Sequence, residues 1–234
     1  MNIILTRPLI DTEDLMARIL SLGHQIIHVP TLKILPSNKE IIDLGKFDVI
    51  IFSSANAIRN LKFKNKKESL ICFCVGSITE KIARLNGFQK TFSAGGTVLA
   101  LQNLIMNSEE VKKDSKIVYV CGDNISHDLD KLLITEGYNL KKIVNYISLK
   151  IVDLNDKTLK LIKDNPPHFI FIYSKRSAES FVELIKKYSL SPMMTESIVM
   201  CISKKIADIF SISGWKKVDI FSPGEELIKL EKHK

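Results

Sequence analysis

Apolar and polar positions fall in blocks along this chain. Short runs of consecutive apolar residues stop at small polar residues or glycine, and a helix-period pattern follows. Val49-Ile50-Ile51-Phe52 is one such run; Ser53-Ser54-Ala55-Asn56 ends it, and Ala57, Ile58 and Leu61 continue at helical spacing. The pattern predicts a strand buried on both faces that delivers a hydroxyl-rich turn onto a helix N-terminus. Phe169–Phe181 repeats the device, with Ser174 standing where Ser54 stands. Unpaired backbone N–H groups at such a terminus suit an anionic ligand.

The same alternation runs through the whole chain. Ile3–Leu5 reads as a strand stopped by Thr6-Arg7-Pro8, and Asp11 or Thr12 caps a helix with Leu15, Ile19 and Leu22 on its apolar face, ended by Gly23. Ile26–Val29 and Thr31–Leu35 are extended, and a weak helix is expected around Ile41–Leu44. Leu70–Val75 precedes a helix begun by Gly76-Ser77; Lys90–Phe92 precedes Gly95-Gly96-Thr97 and the helix Val98–Met106. Then the order restarts: the strand Ile117–Val120, Gly122-Asp123, a helix bearing Leu129, Leu132 and Leu133, and extended segments Leu140–Val144 and Tyr146–Val152. A helix around Leu159–Ile162, the strand Phe169–Tyr173 and the helix Ala178–Tyr188 follow. Ile198–Ile202, Lys204–Ile212, Trp215–Phe221 and Glu225–Leu230 complete the series as strand, helix, strand and helix.

The matched punctuation implies an internal duplication of about 115–120 residues, far beyond the period of a solenoid repeat. GHQIIHVPTLKI answers GYNLKKIVNYISLKI, and VGSITEKIARLNGF answers ISKKIADIFSISGW. Strands alternating with helices at this spacing imply an α/β fold of two doubly wound parallel sheets. Ligands of such sheets sit outside the carboxyl ends of the strands, where both serine turns fall. No Gly/Pro/Ser-rich linker divides the halves; the chain is expected to cross between them at Thr31–Leu35 and Tyr146–Val152.

Composition narrows the class. The chain has 234 residues, 45% hydrophobic and 26% charged, enough for one large or two small α/β domains. No apolar run approaches the roughly 20 residues of a membrane span, and the start MNIILTRP carries no leader pattern, so neither a membrane partner nor a signal peptide is expected. Cys72, Cys74, Cys121 and Cys201 are scattered in or beside strand-like runs, as reduced thiols of a cytoplasmic protein are. The net charge is +8, but the lysines are dispersed rather than gathered in a stripe, and runs such as Lys62–Lys67 and the tail EKHK read as solvated faces. Nucleic acid is therefore not expected as a partner.

Several chemistries are set aside. Cys72-x-Cys74 has no second pair, and His24, His28, His127, His168 and His233 have no metal-ligand spacing, so no metal is expected. Neither GxGxxG, GxxxxGK[ST] nor GxSxG occurs, which leaves dinucleotide, P-loop and serine-hydrolase readings without support.

Six motifs in order carry a resemblance over nearly the whole chain: ILTRP (Ile4–Pro8), IFSSANA (Ile51–Ala57), CVGSIT (Cys74–Thr79), Gly122-Asp123, NYIS (Asn145–Ser148) and YSKRSAESF (Tyr173–Phe181). Their order and spacing resemble uroporphyrinogen-III synthase. The resemblance implies an enzyme of haem and tetrapyrrole biosynthesis, a lyase that cyclises hydroxymethylbilane, expels water and inverts the terminal pyrrole ring, with no cofactor. It also implies two domains joined by a two-stranded β-ladder, the first discontinuous: residues 1–34 with 151–234, and 37–145, with the ladder at 31–35 and 146–152. A cytoplasmic monomer acting on its small-molecule substrate in a cleft is the corresponding expectation.

On this resemblance the substrate's carboxylates fall to Ser53, Ser54, Asn56, Ser77, Thr79, Thr97, Ser174, Arg176 and Ser177, together with backbone N–H groups. Each of these hydroxyl and amide residues reads equally well as a helix cap; as a set at strand ends they read as a binding surface. Tyr146 matches the family tyrosine best placed to assist departure of the hydroxyl, and equally suits an interfacial aromatic with its hydroxyl satisfied. The sequence departs from the family pattern at Lys175, read as solvent-facing, at Lys204, at His127 where an arginine is usual, and at Ser203, Lys205 and Ile206. A non-catalytic two-domain module closing on an anionic metabolite is the alternative reading.

Overall fold

In the computed structural model, which describes residues 1–37, 40–125 and 127–232, the apolar runs become parallel strands. His233 and Lys234 of the charged tail lie outside the described residues. The elements in chain order begin with β1 (Asn2–Leu5), α1 (Glu13–Ser21), β2 (Gln25–His28), β3 (Leu32–Pro36), β4 (Ile42–Asp43), β5 (Val49–Phe52) and α2 (Ala55–Arg59). Then come β6 (Phe63–Lys64), β7 (Ile71–Cys74), α3 (Ser77–Leu85), β8 (Lys90–Ser93), α4 (Val98–Met106), β9 (Ile117–Gly122) and α5 (Leu129–Thr135). The long β10 (Leu140–Lys150) is followed by α6 (Asp156–Asp164), β11 (Phe169–Ile172), α7 (Lys175–Lys187) and α8 (Ser191–Met194). The chain closes with β12 (Ile198–Cys201), α9 (Lys204–Ile212), β13 (Lys217–Ile220) and α10 (Glu226–Glu231).

Two compact units result: Met1–Lys33 with Leu149–Lys234, and Ile34–Ser148. The first holds a sheet ordered β13-β12-β11-β1-β2; the second sheet runs β3-β10-β9-β5-β7-β8, with a small β4-β6 pair beside it. Starting from β11 in one and β5 in the other, the next two strands lie on one side; on the other lie β1 and β2 in the first sheet and β9 and β10, with β3 beyond them, in the second. The β1-β2 pair thus answers β9-β10, which is the duplication seen in the sequence with its first strands moved to the chain start. The pairs of β11 with β12 and β1, and of β5 with β7 and β9, are all parallel.

Parallel strands with helices on both sides must be apolar on both faces, and the alternation shows it. Ile50, Phe52, Cys72, Cys74, Val118 and Val120 pack on one face of the second unit's sheet; Val49, Ile51, Phe73, Ile117, Tyr119 and Cys121 pack on the other. In the first unit Ile4, Ile170, Ile172, Val199 and Cys201 oppose Ile3, Leu5, Phe169, Phe171 and Met200 in the same way. No helix among the described residues is long and apolar enough to cross a membrane, and no cluster of metal-ligating side chains occurs among them.

Some expected elements differ. Residues 41–44 form no helix: Ile42 and Leu44 are both buried at a period of two, Ile42–Asp43 pairs with Phe63–Lys64, and the Asp43 carboxylate accepts from Gly45 N (3.2 Å) to start a 3₁₀ turn. Neither expected residue caps α1 with its side chain; Asp11 sits in a 3₁₀ turn, Leu9–Asp11, and the Thr12 hydroxyl donates back to Leu9 O at 3.1 Å. Leu22 is exposed rather than core-facing, because the helix ends at Ser21 and Gly23 turns the chain with φ +77°. Helix α7 begins at Lys175, directly after Ser174, and the extended segments expected as 140–144 and 146–152 join through Asn145 into one strand.

All four cysteines are free and buried, and Cys72 and Cys74 share a face with their sulfurs 3.7 Å apart. Burial pushes the Cys121 thiol up to about 11 and that of Cys201 up to about 12, from an ordinary 9.0. The folded protein should therefore resist alkylation by iodoacetamide at pH 8 and react only on denaturation. Above about pH 9 these thiols ionise in the unfolded chain and stay protonated in the folded one, so stability should fall as pH rises, by up to about 1.4 kcal/mol per unit and group. Urea midpoints at pH 8 and pH 10 check this: Cys201→Ala should show the smaller drop.

Candidate functional site

The turns at the carboxyl ends of the strands are built from short side chains that bond to their own backbone. In the second unit Ser54 is the N-cap of α2, and its hydroxyl accepts from Asn56 N (3.1 Å). Asn56 turns its amide oxygen toward Arg59, whose guanidinium donates to it at 3.0 Å. Thr97 caps α4 by accepting from Ala100 N (3.1 Å), Ser77 is exposed at the first position of α3, and Thr79 is buried two residues on. A capping hydroxyl accepts through a lone pair and keeps its own O–H free to donate. Ser54 and Thr97 thus serve as caps and remain donors.

Ser53 is tied sideways, its hydroxyl 2.8 Å from the Tyr119 hydroxyl. Tyr119 is fully buried; its burial raises the phenol pKa and keeps it a neutral partner, although the bond to Ser53 works the other way. The sequence pattern places Tyr119 simply within a strand, and only the register of β9 beside β5 shows that it orients Ser53.

The strongest local geometry lies where the sheet reverses its strand order, between the carboxyl ends of β5 and β9. β9 ends at Gly122, and a side-chain carbon there would stand 2.5 Å, 2.6 Å and 2.8 Å from Cζ, Cε2 and the hydroxyl oxygen of Tyr146. The tyrosine ring therefore lies on the bare α-carbon of Gly122. It arrives there through a β-bulge: Val144 pairs with Cys121 and Tyr146 with Gly122, which leaves Asn145 as the extra residue. Asn145 and Tyr146 are consecutively buried, and the Asn145 amide donates to Ala57 O at 2.7 Å.

In the first unit Ser174 is the N-cap of α7, its hydroxyl accepting from Ser177 N (3.1 Å). The Ser177 hydroxyl is spent internally, 2.6 Å from that of Thr31 and 3.2 Å from that of Thr6, while Thr6 donates to Phe171 O at 2.7 Å. These three buried hydroxyls lock the carboxyl ends of β1 and β11 to α7. Arg176, one turn residue further, holds its Nη1 atom buried without a partner. The Arg7 guanidinium stacks 3.8 Å over the Tyr173 ring, and the Tyr173 hydroxyl donates to Glu226 at 3.1 Å. Burial and the Glu226 charge raise the Tyr173 pKa, so this phenol also stays protonated.

Of the residues that depart from the family pattern, Lys175, Lys204, Lys205 and His127 face solvent. Lys175 and Lys204 pair with Glu179 (3.8 Å) and Asp208 (2.8 Å) on their own helices, and His127 is exposed. Ser203 is the N-cap of α9 without a side-chain bond, and of the pair after Lys204, Lys205 is exposed and Ile206 joins the core.

Against known proteins, the family model described as uroporphyrinogen-III synthase HemD matches residues 13–223. No curated protein matches the chain. Among solved structures, uroporphyrinogen-III synthetase from Helicobacter pylori 26695 is similar at 15% identity and a TM-score of 0.66, covering 100% of this chain and 99% of that one. A mutant uroporphyrinogen III synthase from the extremely thermophilic bacterium Thermus thermophilus is similar at 12% identity and a TM-score of 0.55, covering 99% and 97%. At these identities the two structures speak for a shared fold.

Replacing Gly122 by Ala is expected to push the Tyr146 ring off its seat, as overpacking costing about 1–3 kcal/mol. A lower urea midpoint together with an altered near-ultraviolet tyrosine signal would register it.

Proposed function

This chain belongs to the uroporphyrinogen-III synthase family, and from that premise we propose how its residues carry out the reaction. The enzyme is a cyclising lyase of tetrapyrrole biosynthesis that closes hydroxymethylbilane with loss of water and inversion of the terminal ring. Departure of the hydroxyl is driven by the pyrrole nitrogen's electrons and leaves a cationic azafulvene. One weak acid is enough to turn the leaving hydroxide into water. Tyr146 supplies that proton.

The observation that carries this assignment is the contact of the Tyr146 ring with Gly122 at the strand-order reversal of its sheet. A phenol held there is fixed against the end of β9. The substituted carbon of the terminal ring then attacks the azafulvene to give a spiro intermediate, and reopening and closure invert that ring. Most of the acceleration comes from holding the chain bent for this attack rather than the shorter one.

The substrate's carboxylates are taken by the hydroxyl turns: Ser53, Ser54, Asn56, Ser77, Thr79 and Thr97 from the second unit, and Ser174, Arg176 and Ser177 from the first. Ser54, Thr97 and Ser174 bind through O–H donors that their capping bonds leave free, and Arg176, half-buried, through the charge of its guanidinium. Thr79 and Ser177, being buried, act by shaping the turn. The protein works as a monomer in the cytoplasm, a compartment its four reduced thiols favour, with neither nucleic acid nor membrane as partner.

Purified protein supplied with fresh hydroxymethylbilane should give the inverted type III product in excess. The unaided reaction closes without inversion to type I, so type I dominating at excess enzyme overturns the synthase assignment in favour of a binding module. Tyr146→Phe should lower kcat by about 10²-fold and leave product affinity unchanged; an unaltered rate removes its role as the acid.

A further inference from the structure

We propose that Asp123 is a positioning residue that fixes Tyr146, an inference that rests on the assignment of Tyr146 as the acid. The tyrosine sits just after the bulge of β10, where the regular ladder with β9 ends. On its upstream side the strand is held twice: Ser37 donates to Asn145 O through its N–H and to Val144 O through its hydroxyl, both at 3.1 Å, and the Asn145 amide donates to Ala57 O. On the downstream side Asp123 holds it. The Asp123 N–H donates to Tyr146 O at 3.0 Å, and the carboxylate oxygen Oδ1 accepts the N–H of Ser148 at 3.0 Å and that of Asn124 at 2.9 Å.

Asp123 thus grips both ends of the segment Tyr146–Ser148, and the residue before it is the glycine on which the ring rests. Floor and clamp come from adjacent positions of one strand end. Past the bulge the strand still lies beside β3 on one edge, and Asp123 holds the other edge, where the ladder with β9 has ended. A carboxylate suits the task because one oxygen can receive two N–H groups, a stronger acceptor than a neutral carbonyl. Displacement of a catalytic group by about 1 Å costs on the order of 10²-fold in rate, so loss of the clamp should appear in turnover rather than in binding.

Asp123→Ala is expected to lower kcat about ten- to a hundredfold with KM little changed and the urea midpoint close to that of the parent. Asp123→Asn, whose amide oxygen can accept the same two N–H groups, should recover most of the loss. On a Tyr146→Phe background Asp123→Ala should cost nothing further, because there is no proton left to aim. If Tyr146→Phe lowers kcat but Asp123→Ala does not, the positioning role is overturned and the acid stands. Equal damage from Ala and Asn, or additive losses in the double variant, would mean that Asp123 acts by its own charge and would likewise overturn the proposal. A Tyr146→Phe variant of full activity removes both.

Discussion

A strand buried on both faces can carry neither a charge nor an unpaired backbone group along its length. Val49–Phe52, Ile71–Cys74 and Phe169–Ile172 obey this without exception, every residue in them being buried. Polar chemistry is thereby driven to the strand ends, and in a parallel sheet the ends that matter all point one way. The hydroxyls of Ser54, Thr97 and Ser174 stand at these ends because the next helix begins there and its first N–H groups need acceptors. The O–H of each capping hydroxyl stays free to donate, so the same atom that caps is the one proposed to bind.

The two units apply the same plan with different emphasis. In the unit of Ile34–Ser148 the capping hydroxyls of Ser54 and Thr97 are left half-engaged, and Ser53 is tied to a buried side chain, Tyr119. In the other unit the buried hydroxyls of Thr6, Thr31 and Ser177 bond to one another, and Thr6 donates on to Phe171 O. Under the proposed reaction, that difference gives one unit the acid and leaves to the other the turn of Ser174 and Arg176. Lys175 and Lys204, paired along their own helices, take no part.

The strands were legible because burial on two faces writes an uninterrupted apolar run, and the capping serines because each run stops at a hydroxyl. Legibility failed where one sequence pattern fits two backbones. Ile42 and Leu44 lie two apart, a strand spacing inside a stretch otherwise open to helix, and Asp43 settles it by bonding to Gly45. The first turn of α7 is hidden because Lys175 and Arg176 give it no apolar stripe. An extra residue in an extended run leaves no mark at all, so the bulge at Asn145 and the seat of Tyr146 on Gly122 need the register of β9. Asp123 stood inside a recognised motif, yet its clamp bridges positions 25 apart and has no local signature.

The placement of β1 has a consequence for the order in which the chain is made. Ile3 pairs with Phe169, so β1, made long before β11, waits for it before its sheet can close. The contiguous unit between, whose strands all lie within Ile34–Ser148, can complete itself meanwhile. Until then the apolar edge of β1 and β2 stays unsheltered, an aggregation risk of the kind that late, long-range pairing imposes. A chain built this way trades early protection of β1 and β2 for a unit assembled from two separated segments.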